Sequence, residues 1–117
     1  MDLPRNAFKA ALAEGRQQIG LWVTIPEPGH VESMATCGYD WLLLDTEHVA
    51  VPLHVVGQML QAAAPYPGSC VVRPGANDAV EIKRLLDLGV QSLLVPMVNS
   101  AEEYRRGLLQ ALDQSPV

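Results

Sequence analysis

The chain has 117 residues, 49% hydrophobic and 18% charged, and a net charge of −5. That is one domain with enough apolar material for a core. The acidic balance argues against nucleic acid as the main partner but leaves an anionic small molecule open, since one pocket arginine can bind a carboxylate.

The elements follow in chain order. Pro4 to Glu14 reads as a helix stopped by Gly15, and Gln18 to Ile25 (QIGLWVTI) as a strand. Pro28 to Cys37 reads as a helix with a proline at its start and Gly38 after its end. Asp40 to Leu44 is a second strand, and Pro52 to Ala63 a helix. The Pro65-Tyr66-Pro67-Gly68 turn leads into a third strand, Ser69 to Arg73. Asp78 caps a helix over Ala79 to Leu88 that Gly89 ends. Gln91 to Val95 is expected as a fourth strand, stopped by Pro96. Ser100 opens a last helix with Glu103 three residues on, the spacing of a capping box.

Strand and helix thus alternate about four times, with short loops and strands apolar on both faces. That pattern means a parallel sheet with helical crossovers. Four such strands are half of a barrel or a small open sheet, and the length is far below the roughly 250 residues of a complete (β/α)8 barrel. The N-terminal MDLPRNAFKAALAEG has no apolar signal-peptide core. No window approaches the ~18 apolar residues of a membrane span, so a cytoplasmic location is expected. Cys37 and Cys70 are expected as two free, buried thiols, because neither has enough neighbouring ligands for a metal site.

The chemistry concentrates in GYDWLLLDTEH, Gly38 to His48. An apolar run ends abruptly in Asp45, Glu47 and His48, at the strand end where parallel α/β folds place their sites. A carboxylate on one imidazole nitrogen fixes the tautomer and raises the basicity of the other, which suits Asp45 and His48 to general-base chemistry. The plainer reading is a turn-capping Asp45 and a solvated His48. Glu47 is a site residue or a structural one. Arg73 ends the third strand, where a guanidinium needs an anion: a substrate carboxylate, or a local Asp or Glu. Trp22 either walls a pocket or fills the core. His30 and His54 read as solvated helix residues, Asp87 as part of an exposed last turn, and Met97 as a pocket-mouth residue or a gap filler.

Several ordered segments resemble the HpcH/HpaI aldolase family of metal-dependent pyruvate aldolases. They are FKAALAEG (Phe8 to Gly15), IGLW (Ile19 to Trp22), YDWLLLDTEH (Tyr39 to His48), APYP (Ala64 to Pro67), VVRP (Val71 to Pro74), IKRLLDLG (Ile82 to Gly89) and LLVPMV (Leu93 to Val98). The resemblance implies a partial (β/α)8 barrel: about the first four parallel strand–helix units plus an N-terminal helix, with residues 1–117 as the N-terminal half of the barrel domain. It implies reversible cleavage of 4-hydroxy-2-oxo acids (2-keto-3-deoxy acids) to pyruvate and an aldehyde. It also implies a divalent ion (Mg²⁺, Mn²⁺ or Co²⁺) and a homo-oligomer, a hexamer in the family.

By the same resemblance His48 is the base, Asp45 its partner, Arg73 the residue holding the pyruvate oxygens, and Trp22 a pocket wall. Asp87 is carried over as a residue near the site or a subunit contact. The metal-ligating Glu and Asp are expected beyond Val117. After Tyr104 the stretch RRGLLQALDQSPV departs from the family pattern. Two rivals accompany this reading: a non-catalytic remnant or interaction module that pairs with a full-length relative, and a lyase of the citrate-lyase β-subunit type.

Overall fold

The structure, a computed structural model, describes residues 4–113. Met1 to Leu3 and the last four residues of the divergent RRGLLQALDQSPV stretch lie outside the described residues. The elements alternate as the periodicity predicts: α1 (Ala7–Ala13), β1 (Gly20–Val23), α2 (Pro28–Ala35), β2 (Trp41–Asp45), α3 (Leu53–Ala63), β3 (Ser69–Arg73), α4 (Ala79–Asp87). A last helical stretch follows, α5 (Ala101–Tyr104), a π-helical turn (Arg105–Leu109) and α6 (Gln110–Asp113). Gly38 and Gly89 follow α2 and α4 with φ of 86° and 96°, the left-handed backbone that turns the chain back toward the next strand at no Cβ cost.

Among the described residues the sheet has three parallel strands in the order β1-β2-β3. Leu21 pairs with Leu42 and Leu42 with Cys70, so the strands advance without a register break. Alternation sorts their side chains. Leu21, Val23, Leu42, Leu44 and Val72 face the helices, where they pack with Val31, Val56, Met59 and Leu85 in one core. Trp22, Leu43, Asp45, Val71 and Arg73 share the opposite, inner face. Both faces are apolar over most of their length, which is why the strands read as continuous hydrophobic runs.

The N-terminal end of the sheet is closed by α1. The Asn6 side chain caps that helix by accepting from Lys9 N at 2.9 Å, and its amide donates to Gln91 O at 3.1 Å and Ser92 Oγ at 2.9 Å. Phe8 packs against Trp41, ring centroids 6.1 Å apart, and the Trp41 ring lies directly over Gly20, where a Cβ would collide with it.

Three expectations are corrected. The fourth strand is reduced to one bridge, Val72 with Leu93, held by Val72 N to Ser92 O and Leu94 N to Val72 O, both 3.0 Å. Pro96 has no N–H to continue the ladder, and Met97 turns the backbone left-handed at φ 57°. Cys37 is exposed rather than buried, because it sits past the end of α2 on its solvent side; Cys70 is partly buried within β3. The capping box is displaced by one residue. Ser100 Oγ accepts from Glu103 N at 3.2 Å, but Glu103 Oε2 accepts from Asn99 N at 2.6 Å.

Candidate active site

Parallel pairing places the C-terminal ends of β2 and β3 side by side, with Asp45 directly opposite Arg73. The two form a bidentate pair: Arg73 Nε donates to Asp45 Oδ1 at 3.0 Å and Nη2 to Oδ2 at 2.7 Å. Asp45 is 3% exposed. Its oxygens also accept from Trp22 Nε1 at 3.3 Å and from the backbone N–H of Glu47 (2.9 Å) and His48 (3.3 Å). The Arg73 guanidinium holds the Asp45 carboxyl well below the usual carboxylate range, with those three N–H bonds acting in the same direction against the cost of burial. Asp45 in turn raises the Arg73 pKa.

Trp22 stacks on the guanidinium, whose Cζ lies 4.7 Å from its ring centroid. Glu47 closes the cluster from the other side: its Oε2 lies 3.2 Å from Arg73 Nη1 and its Oε1 3.5 Å from His48 Nε2. Thr46 fixes the frame. Its Oγ1 donates to Arg73 O at 2.6 Å and its N–H donates to the same carbonyl at 3.0 Å, tying the turn after β2 to the end of β3.

The structure therefore brings together Trp22, Asp45, Glu47 and Arg73, with His48 at the rim. It does not form the Asp45–His48 side-chain pair. Asp45 has spent its acceptors on Arg73, Trp22 and two backbone N–H groups, so His48 reaches it only through its backbone. The imidazole is 72% exposed and its neighbouring carboxylate is Glu47. Asp87 is also not at this site. Helix α4 runs back from the end of β3, so its last residue lies exposed at the opposite, N-terminal end of the strands. Thr46 was passed over in the sequence; the available signal was a hydroxyl immediately after a strand-ending Asp. A cavity of about 500 Å³ opens at that N-terminal end, lined by Asn6, Ser69 and Gln91 among others. It contains none of the charged cluster, and we place the site where the charges converge.

Chemically, the cluster is a preorganised guanidinium. Nε and Nη2 donate to Asp45, while Nη1 lies 3.2 Å from Glu47 Oε2 without a formed hydrogen bond, so Arg73 keeps Nη hydrogens that a carboxylate or an α-oxo acid can accept from. Two carboxylates against one guanidinium leave the cluster formally negative, so charge alone does not hold an anion there. The carboxylates present do not fit a resident metal ion: Asp45 is saturated, Glu47 is shared between Arg73 and His48, and no group of three or more potential ligands exists among the described residues.

Comparison with known proteins places the chain in a family. Residues 18–113 match the family described as HpcH/HpaI aldolase/citrate lyase. A hydroxypyruvate/pyruvate aldolase of Sagittula stellata is 58% identical over 105 residues, which is 90% of this chain and 42% of that protein. A 4-hydroxy-2-oxo-heptane-1,7-dioate aldolase of Escherichia coli is 52% identical over 88% of this chain and 39% of its own length. The crystal structure of an HpcH/HpaI aldolase/citrate lyase family protein from Burkholderia cenocepacia superposes with a TM-score of 0.85 at 30% identity, covering 91% of this chain and 42% of that one. The chain thus spans about two fifths of the length of these relatives, and its fold is part of their TIM barrel.

Proposed function

This chain belongs to the HpcH/HpaI aldolase/citrate lyase family, and from that premise we propose that its 117 residues are the N-terminal half of a pyruvate-aldolase barrel. The reaction is the reversible cleavage of 4-hydroxy-2-oxo acids to pyruvate and an aldehyde, in the cytoplasm, by a homo-oligomeric enzyme. The observation that carries the reading is the Arg73 guanidinium, held rigid by Asp45, Trp22 and Glu47 at the C-terminal ends of parallel strands.

Arg73 takes the pyruvate oxygens on the Nη hydrogens that Asp45 leaves free. Trp22 stacks on the guanidinium and walls that side. His48, exposed at the rim, moves the proton. Asp45 acts as a positioning residue through Arg73 and the turn backbone, a different role from the imidazole partner expected of it. A divalent ion, which the resemblance implies, would supply Lewis-acid chemistry to the complete enzyme. The formal negative charge of the cluster favours a cation beside an anionic substrate, and the ligands are proposed to lie outside these residues. The proposed subunit contact of Asp87 is compatible with its exposure.

The test is complementation. The chain is joined to the remaining half of the Sagittula stellata relative and assayed for pyruvate release with Mn²⁺, beside the unjoined chain. The joined enzyme should turn over and the chain alone should not. His48→Ala should lower turnover by ~10²–10⁴-fold, as for a lost general base. Arg73→Lys, which keeps the charge but loses the planar fork, should raise KM for pyruvate in the synthetic direction. Unchanged kinetics in both variants would remove these residues from the site.

A further inference from the structure

The register that sets Asp45 against Arg73 also brings an apolar side chain to the other flank of the guanidinium. Val72 is bridged to Leu93, with Val72 N donating to Ser92 O and Leu94 N to Val72 O, both at 3.0 Å. One residue further along each segment, Leu94 lies beside Arg73, at the roughly 4.8 Å spacing of neighbouring strands. Leu93 packs against the core on the helix side. Alternation therefore turns Leu94 to the inner face, which also carries Asp45 and Arg73. Its side chain is 43% exposed there. Just beyond it the ladder ends, since Pro96 has no N–H and Met97 has a φ of 57°. Leu94 thus stands at the level of the strand ends, held in place by its own N–H bond to β3.

We propose that Leu94 sets which 2-oxo acid the site enolises, by packing against the carbon chain of the acid that Arg73 holds. This inference rests on the proposed aldolase reading and deepens it. Among the described residues, three sides of the guanidinium are taken. Trp22 covers one face, with Cζ 4.7 Å from its ring centroid. Asp45 holds the Nε and Nη2 edge, and Glu47 lies 3.2 Å from Nη1. A hydrocarbon chain laid on the β2 side would strip water from two carboxylates, which is costly. Laid across Leu94 it removes apolar surface from water on both partners, which is favourable. The carboxylate and oxo oxygens therefore meet the Nη hydrogens while the chain beyond C2 turns toward Leu94. A leucine offers no charge and no hydrogen bond, so it selects by length. The C3 methyl of pyruvate fits in front of the isobutyl group, and one further methylene runs into it. One methylene in an apolar pocket changes selectivity by roughly 10–200-fold.

Deuterium exchange at C3 tests it, followed by proton NMR in deuterated water with Mg²⁺, on the chain joined to the remaining half of its relative as above. The probes are pyruvate and 2-oxobutanoate, which is one methylene longer. The joined enzyme with Leu94 should exchange pyruvate at least ~10-fold faster. Leu94→Ala should raise the 2-oxobutanoate to pyruvate ratio by ~10-fold or more, and Leu94→Phe should lower it. Leu94 lies outside the buried core, so neither change removes core packing. A merely structural loss would lower both rates together and leave their ratio where it was. Should Leu94→Ala fail to fold, Leu94→Val, whose branch suits a strand, should move the ratio in the same direction by less. Equal exchange of the two acids by the parent enzyme, or pyruvate exchange with one unchanged ratio across the variants, would overturn this inference and leave the reaction standing. No exchange of either acid by the joined enzyme would overturn the reaction, and this inference with it.

Discussion

Asp45→Asn isolates the interaction on which the cluster depends. The native carboxylate accepts from Arg73 Nε and Nη2, from Trp22 Nε1 and from two backbone N–H groups. Asparagine keeps a single acceptor oxygen and turns an NH2 group toward these donors. It can satisfy the turn or the guanidinium, not both. Breaking a buried ion pair by removing one partner costs about 3–5 kcal/mol. Arg73 retains Glu47 at 3.2 Å and a side chain 17% exposed, which reduces the loss. We therefore expect about 2–3 kcal/mol at pH 7, read as a drop in Tm of roughly 10–20 °C for a domain of this size.

The pH dependence has a definite sign. The folded carboxyl has a lowered pKa, so its contribution is complete above the unfolded value of about 3.9 and is lost as pH falls toward the folded one. Between pH 5 and pH 3 the gap between wild type and variant should narrow by roughly 1 kcal/mol. Urea unfolding at fixed protein concentration, at several pH values, measures it. A variant within about 0.5 kcal/mol of wild type at pH 7 would refute the reasoning, since about 2–3 kcal/mol remains after the Glu47 contact is allowed for. So would a gap that stays constant down to pH 3.

Thr46→Val removes the hydroxyl that donates to Arg73 O and should cost about 0.5–1.5 kcal/mol in urea unfolding, with Thr46→Ser recovering most of it. Gly20→Ala forces a methyl into the Trp41 ring and should destabilise by about 1–3 kcal/mol, with a changed near-ultraviolet circular dichroism signal from the displaced indole. The thiols should separate kinetically: at pH 8 a disulfide reagent should label the exposed Cys37 quickly in the native chain. Burial raises Cys70 to about 11 and should delay its labelling until unfolding; two equally fast thiols would contradict the placement.

The sequence by itself determined the alternation of elements. Apolar strands, glycine stops and helix caps are local signals, and β3 runs from Ser69 to Arg73 as its residues predict. It also pointed to the charged cluster at the end of β2, because an apolar run that ends in Asp-Thr-Glu-His is visible without coordinates. Tertiary structure decided who binds whom. Register across two parallel strands set Asp45 against Arg73, and once a bidentate guanidinium, an indole and two backbone N–H groups had filled its acceptors, none was left for His48. The direction of α4 carried Asp87 to the far end of the sheet, a consequence of the parallel crossover that no local pattern around Asp87 encodes. The fourth strand shows the same division. Gln91 to Val95 has the composition of a strand, but its pairing with β3 stops at one bridge, because Pro96 has no N–H to donate and Met97 turns the backbone left-handed.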